Sequence, residues 1–219
     1  MTSAAHATPI TNTPVQDAVR AYTARGFRCV PLYGVDDHGN CMCGNPSCKP
    51  RDHGKHEPPE TDGTWKDGRT FGPEDFRATD NVAIALGPWK AKHGQHSWLV
   101  CLDMDGTDDA RVFFPNLPPT LTQKSQHGLH LFFTVREFEP LGNWVDCFGT
   151  RAAGFQLDLR YARGRIVVAP SRGAWGRYEW QDWRAPVPLP SEALSAIYGQ
   201  RQTRGLPVLE RWERGSKAP

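Results

Sequence analysis

Apolar residues recur at helical spacing in only two places along the chain. Val15, Ala18, Val19 and Tyr22 form the first such stripe. Thr13 can cap it, Pro14 takes the first helical position, Gln16 closes a capping box and Gly26 can end it. The second is "PSEALSAIYG" (190–199), with Ser191 as the expected N-cap. Elsewhere the apolar runs are short and bounded by Gly, Pro and Asp. "FRCVPLY", "DNVAIALG" (80–87), "GLHLFFTV" (128–135), "FQLDLR" (155–160), "RIVVAP" (165–170) and "RYEW" read as strands. "HSWLVCLDMDG" (96–106) reads as a strand built for the core, yet it ends in two carboxylates. "PWKAKHGQH" reads as a charged, hairpin-like link before that strand, and "TDDARVFFP" as a short helix capped by Thr107. Residues 34–70 have almost no periodicity, and a loop this long inside a compact domain needs a reason. No internal repeat is present. The pattern predicts an α+β domain with a mainly antiparallel or mixed sheet.

Composition narrows this picture. A chain of 219 residues with 38% apolar content accommodates one large domain or one domain with attachments. Nineteen prolines and 21 glycines agree with many turns and few long helices. The expected layout is a polar, disordered stretch over 1–12, a domain over 13–199 with an insertion at about 38–60, and a flexible basic tail over 200–219. A net charge of +2 gives no global basic signal, so any nucleic-acid contact must come from a local patch. No apolar run approaches the roughly 18 residues of a membrane span. The N-terminus lacks the basic start and apolar core of a secretory signal, so an intracellular, cytoplasmic location is expected. Of six cysteines, Cys29, Cys101 and Cys147 are isolated among apolar residues and read as small buried hydrophobes.

The carboxylates carry the first chemical signal. Residues i and i+2 of a strand share a face, so Asp103 and Asp105 project together, roughly 6 to 7 Å apart at Cα, and Met104 points the other way. Two like charges side by side invite a cation, and magnesium takes one or two carboxylates plus phosphate oxygens. The alternative is a turn opened by these aspartates with Gly106 and Thr107. Asp158, on a strand whose Leu157 and Leu159 face the other side, also needs a partner. Arg160 shares its face. The pair is either a surface ion pair or part of a three-carboxylate site with an arginine for phosphate.

"TQKSQHGLHLFF" places Lys124, Ser125, His127 and His130 on the approach to a strand. Such a turn can offer backbone N–H groups and a cation to phosphates, and His130 can donate a hydrogen bond to one. "CMCGNPSCKPRDHGKH" spaces Cys41, Cys43 and Cys48 as C-x-C-x4-C, followed by His53 and His56. Three thiolates and one imidazole complete a tetrahedral zinc set, with His56 the expected fourth ligand and His53 the runner-up. A structural zinc with no open position would also explain how the long loop stays ordered. Lys49, Arg51 and Lys55 surround it, which makes the loop a candidate nucleic-acid contact.

Taken in order, these segments resemble the N-terminal primase/polymerase domain of bifunctional primase-polymerases, in the archaeo-eukaryotic primase superfamily. The resemblance spans about residues 14–183. It rests on "AYTARGFRCVPL", the cysteine segment with its Gly-Lys-His signature, "NVAIALG", "WLVCLDMDG", "KSQHGLHLFF" and "LDLRYARGRIVVAPS". Two departures are visible. The turn before the histidine reads "SQHG" where the family is usually glycine-rich, and Glu57 follows His56 where proline is frequent.

The resemblance implies an RNA-recognition-motif-like sheet with helices on one side and an inserted zinc-binding loop. It implies that Asp103, Asp105 and Asp158 hold two Mg²⁺ or Mn²⁺ ions, and that His130 bonds the incoming nucleotide's phosphates. Arg160, Lys124 and Ser171 would neutralise charge there, with Ser125 and His127 as further contacts. The implied activity is DNA primase or DNA polymerase, with single-stranded DNA and NTP or dNTP as substrates. A separate replicative helicase is an implied partner, and a phage or plasmid replication protein the implied setting. The competing readings are a metal-dependent nuclease and a non-enzymatic zinc-binding nucleic-acid module. The first lacks the H-hydrophobe-H spacing of replication initiators, since His127 and His130 are three apart. The second leaves the three aspartates without a role.

Overall fold

The computed structural model describes residues 15–90, 96–136 and 141–205. The fold is α+β. In chain order its elements are α1 (Val15–Ala24), β1 (Arg28–Leu32), β2 (Asn81–Ala85), β3 (Gly87–Lys90), β4 (His96–Asp105), β5 (Leu121–Lys124), β6 (Gly128–Val135), β7 (Gln156–Arg160), β8 (Arg165–Val168), β9 (Arg172–Gly173), β10 (Gly176–Arg177), β11 (Glu179–Asp182), β12 (Val187–Pro188) and α2 (Ser191–Thr203). Neither helix is long and apolar enough to cross a membrane.

Three strands form a small sheet in the order β1-β2-β8, and seven form a large sheet along β11-β5-β6-β4-β3, with β7 on β4 and β12 on β6. All pairings are antiparallel except β12 with β6. The length of β4 lets it pair β3 along its first half and β7 along its second.

The unbroken apolar run of β4 follows from burial on both faces. Leu99 and Cys101, with Leu121, Phe132 and Trp180, pack against the small sheet and α1. Trp98, Val100, Leu102 and Met104, with Phe133, belong to a second core that includes Ala193 and Ile197 of α2. Each face of the large sheet is apolar and requires its own cover. The two helices therefore sit in different cores, not together on one side of the sheet. Cys29, Cys101 and Cys147 are buried and unpaired, as their apolar neighbours predict.

Several local expectations change. Thr13, Pro14 and the stretch 1–12 lie outside the described residues; Gln16 donates to the Phe76 carbonyl at 2.9 Å instead of closing a capping box. The "TDDARVFFP" segment folds as one 3-10 turn, Ala110–Val112, and its cap is Asp109, which accepts from the Arg111 N–H; Thr107 accepts from Asp109 in turn. Ser191 is the first residue of α2 rather than its cap, a position held by Pro190 with no side-chain bond. The helix also continues to Thr203, into the expected tail. Its buried stripe extends through Arg201, which donates to the Leu141 carbonyl and lies over the Trp144 ring. A buried arginine is invisible to an apolar-period reading. The rest of the expected tail, 206–219, lies outside the described residues.

Candidate active site and zinc centre

On one face of β4 the alternation Leu99, Cys101, Asp103, Asp105 runs from the core between the sheets into a cavity of about 460 Å³. β8 supplies part of the opposite wall through Arg165, Ile166 and Val167. The strand register decides what surrounds Asp103. Gln123 of β5, His130 of β6, Asp103 of β4 and Asp158 of β7 form one row across four neighbouring strands. Gly128, opposite Asp105, closes this approach. A Cβ there would meet the Met104 carbonyl oxygen at 2.1 Å, so only glycine lets β6 lie this close.

His130 is held from both sides. Gln123 Nε2 lies 2.7 Å from His130 Nδ1, and Asp103 Oδ1 lies 3.1 Å from Nε2. The Gln123 amide is itself oriented by two backbone groups: it donates to the Val167 carbonyl and accepts from the Ala169 N–H. Its nitrogen therefore faces His130, Nδ1 acts as acceptor, and the ring proton sits on Nε2 toward the cavity.

The two cavity carboxylates differ. Burial would raise the Asp103 carboxyl, but contacts with His130, Arg160 and Lys55 outweigh it and hold the group below its usual range. Burial raises Asp105, and the neighbouring Asp103 charge raises it further. Two crowded carboxylates on one wall, one of them poorly compensated, suit a hard divalent cation.

Asp158 takes a different place. It is buried and does not line the cavity. Its Oδ1 accepts from the Asp146 N–H at 2.7 Å and Gln156 Nε2 at 2.6 Å, and its Oδ2 accepts from Arg160 at 2.6 Å. Arg160 also reaches Asp103 at 3.5 Å. This is no surface ion pair: the shared face read from the sequence is real and buried. Asp158 has to exchange Arg160 for a cation before it can be a third ligand.

Two residues expected at the phosphates are not brought to the cavity. Lys124 ends β5 with its side chain on Asp108 at 3.1 Å. Ser171 is buried, and its hydroxyl bridges the Val82 N–H and carbonyl. Ser125 and His127 do line the cavity. The Ser125 hydroxyl, however, accepts from the N–H groups of His127 and Gly128, so the turn spends those donors on itself.

The positive wall comes from elsewhere. Lys55, Lys66, Arg160, Arg163 and Arg165 line the cavity. Arg165 is matched by Glu57 at 2.6 Å, but Lys55, Lys66 and Arg163 make no direct ion pair among the described residues, Lys55 acting on Asp103 only at longer range. Arg163 adopts a left-handed φ of 61°, which is uncommon for a non-glycine residue and typical of functional turns. Lys66, in a 3-10 turn over Thr64–Asp67, and Arg163, in the turn before β8, fall in aperiodic sequence and carried no signal. Gln123 had one: a polar residue in phase with the buried Leu121 of its strand.

The cysteine loop gathers as its spacing predicts. One donor atom each from Cys41, Cys43, Cys48 and His56 lie within 4.8 Å of one another, the only such group of three or more among the described residues. Desolvation and hydrogen bonds shared with Cys43 and Cys41 push the Cys48 thiol up to about 12, while Cys43 is lowered. Thiols that compete for charge in this way fit a soft-ligand dication such as zinc. His53 is not a ligand here: its ring nitrogens lie against the Gly39 and Cys48 carbonyls.

The loop is bolted to the cavity wall. Gly54, with φ of 76°, packs where a Cβ would meet Asn81 Nδ2 at 2.5 Å and the Arg172 carbonyl oxygen at 2.6 Å. Lys55 follows it into the cavity, and His56 follows Lys55 into the cysteine cluster. Glu57, the departure noted above, is buried, paired with Arg165, and accepts from Trp65 Nε1 and the Gly63 N–H. Burial raises its carboxyl, but the Gly63 N–H and Arg165 more than compensate and lower it.

Searches of the curated proteins and of the solved structures return no significant match. The family model for bifunctional DNA primase/polymerase, N-terminal, matches residues 19–192, a span from α1 to the start of α2 that contains the cysteine loop and every cavity residue named above. The chain belongs to the bifunctional DNA primase/polymerase N-terminal family.

Proposed function

We propose that the protein is a template-dependent nucleotidyltransferase, a DNA primase or DNA polymerase acting in replication. One observation carries this reading. Two carboxylates, Asp103 and Asp105, and three unmatched cations, Lys55, Lys66 and Arg163, face one cavity. The carboxylates suit divalent cations and the cations suit a triphosphate, which together are the requirements of phosphoryl transfer. Asp103 and Asp105 would hold Mg²⁺ or Mn²⁺, with Asp158 as third carboxylate after releasing Arg160. Two such ions supply activation of a 3′-hydroxyl and stabilisation of the triphosphate and leaving pyrophosphate. The hydroxyl releases its proton to solvent as its oxygen bonds the α-phosphorus of an NTP or dNTP, the α–β anhydride bond breaks, and pyrophosphate departs. Once cations take over Asp103, His130 is free to turn its Nε2 proton from that carboxylate to a phosphate oxygen, and Arg160 turns to the same charge. Zinc at Cys41, Cys43, Cys48 and His56 is structural.

The direct test is incubation with single-stranded template, Mg²⁺ or Mn²⁺ and labelled nucleotides, with and without a primer. Incorporation is expected in at least one arm; none in either, from folded protein, sinks the reading. Degradation of the template in its place would identify a nuclease.

Gln123 should act as a positioning residue. Gln123→Met removes the donor that makes His130 Nδ1 an acceptor. Nitrogen NMR shifts of His130 should show the Nε2–H form in the parent and a mixture in the variant. Incorporation should fall on the order of 10- to 100-fold, as for other partners that orient a functional histidine. An unchanged tautomer signal would refute this role.

A further inference from the structure

We infer that the β9–β10 hairpin is the platform on which single-stranded template docks at the mouth of the cavity, with Trp175 stacking on one base. This deepens the template-copying reading and rests on it. Trp175 is 53% exposed, the only aromatic side chain among the described residues that is predominantly in solvent. Held about half out of its own packing at a two-residue hairpin tip, the indole offers a flat apolar face to a ligand.

The hairpin is rigid beneath that ring. At its base, both polar atoms of the Asn81 amide bond the Arg172 backbone, and Ser171 clamps β2 through Val82. At its tip, the Trp175 N–H donates to Gln126 Oε1, and Gln126 Nε2 donates to the Tyr178 hydroxyl. The indole itself makes no hydrogen bond among the described residues. Its one ring neighbour among the described residues is His127, at 4.9 Å between centroids, and His127 lines the cavity that holds Asp103 and Asp105.

Charge points to the same occupant. Arg172 and Arg177 are direct cross-strand partners, so two cations sit side by side on one face of the hairpin. Like charges in register are unfavourable and invite an anion between them. Arg172 has only a distant contact of 3.6 Å to the fully exposed Asp37, and Arg177 has no carboxylate partner among the described residues. An exposed indole flanked by one weakly paired arginine and one with no ion pair matches the two needs of a single strand, a face for a base and cations for its phosphates. A free nucleotide has less use for it, because its triphosphate is served by the cations inside the cavity.

Binding of a short labelled oligodeoxythymidine, read by anisotropy in the full chain without nucleotides, tests this. Trp175→Ala should weaken binding about 10-fold or more, and Trp175→Phe should stay within about 3-fold of the parent, since either ring can stack. Arg177→Gln should reduce the slope of log affinity against log salt by about one. In primer extension, Trp175→Ala should raise the template KM while the nucleotide KM moves less than about 2-fold. Equal oligonucleotide affinity in Trp175→Ala and parent overturns the proposal. So does a raised nucleotide KM with unchanged oligonucleotide affinity, which would assign the indole to the incoming base. The two readings fail separately. A parent protein that binds through Trp175 but incorporates nothing rejects the polymerase, whereas one that incorporates while Trp175→Ala binds normally rejects only the platform.

Discussion

Asp103→Asn and Asp105→Asn should each reduce nucleotide incorporation by about 10³-fold or more while leaving the fold intact. Asparagine keeps the volume of the side chain and an oxygen for hydrogen bonding, but removes the charge that attracts a divalent cation. The two variants should differ in stability, which makes them informative beyond activity. Asp103 is compensated by His130 at 3.1 Å and Arg160 at 3.5 Å, so its neutralisation leaves buried donors under-used. A cost of about 1 to 3 kcal/mol is expected. Asp105 is raised by burial and by Asp103, so in metal-free buffer its charge is a liability and Asp105→Asn should melt no lower than the parent. That pattern, stability gained where function is lost, is what a site held in tension for a ligand produces. Thermal melts in chelator, paired with incorporation assays in Mg²⁺, check both halves. Synthesis retained in either variant would place the chemistry on other carboxylates.

Removal of zinc should unfold the insertion and empty Lys55 from the cavity. From residue 35 to residue 57 almost every side chain is exposed or half-buried, so the loop has no apolar core of its own. Beyond the Gly54 anchor on Asn81 and the Tyr33 N–H to the His56 carbonyl at 2.8 Å, its order is expected to come from a metal held by Cys41, Cys43, Cys48 and His56. Elemental analysis should find about one zinc per chain, and less than about half an equivalent rejects the site. On chelation, or in Cys48→Ser, amide exchange should accelerate over residues 36–56. The segment from Glu57 onward should stay protected, because Glu57 is pinned to Arg165 and Trp65 rather than to the metal. The nucleotide KM should rise on the order of 10-fold as Lys55 leaves the triphosphate wall. Protection unchanged over residues 36–56 would mean that the protein matrix alone orders the loop.

Much of the site was legible because its signals are local. Period-two geometry places Asp103 with Asp105 and Asp158 with Arg160 whatever the strands pair with. The Cys41, Cys43, Cys48 and His56 spacing restricts the loop to a donor cluster before any packing is known. The apolar runs marked β1, β2, β4, β6, β7 and β8, and "RYEW" overlaps β11. The others escaped: β3, β5, β9, β10 and β12 are two to four residues long and owe their extended form to a neighbour. Lys124 and Ser171 lie in the right segments but face the wrong way, Lys124 onto Asp108 and Ser171 onto Val82. Side-chain direction in a short strand is decided by register, which no single segment contains.

What the sequence by itself determined is therefore the chemistry carried within one strand or one loop: the carboxylate pair at the end of β4, the Asp158–Arg160 pair, the Cys41, Cys43, Cys48 and His56 donor cluster and the α+β class. What only the tertiary structure decided is how those pieces meet. Register across β5, β6, β4 and β7 aligned Gln123, His130, Asp103 and Asp158. Packing of the small sheet and the zinc loop against the large sheet delivered Lys55, Lys66, Arg163 and Arg165 to the same cavity. The same packing left Trp175 exposed beside His127 of the cavity lining. Local patterns record a backbone period, whereas contacts between residues as far apart as 55 and 165 are selected by the burial of two sheet faces at once.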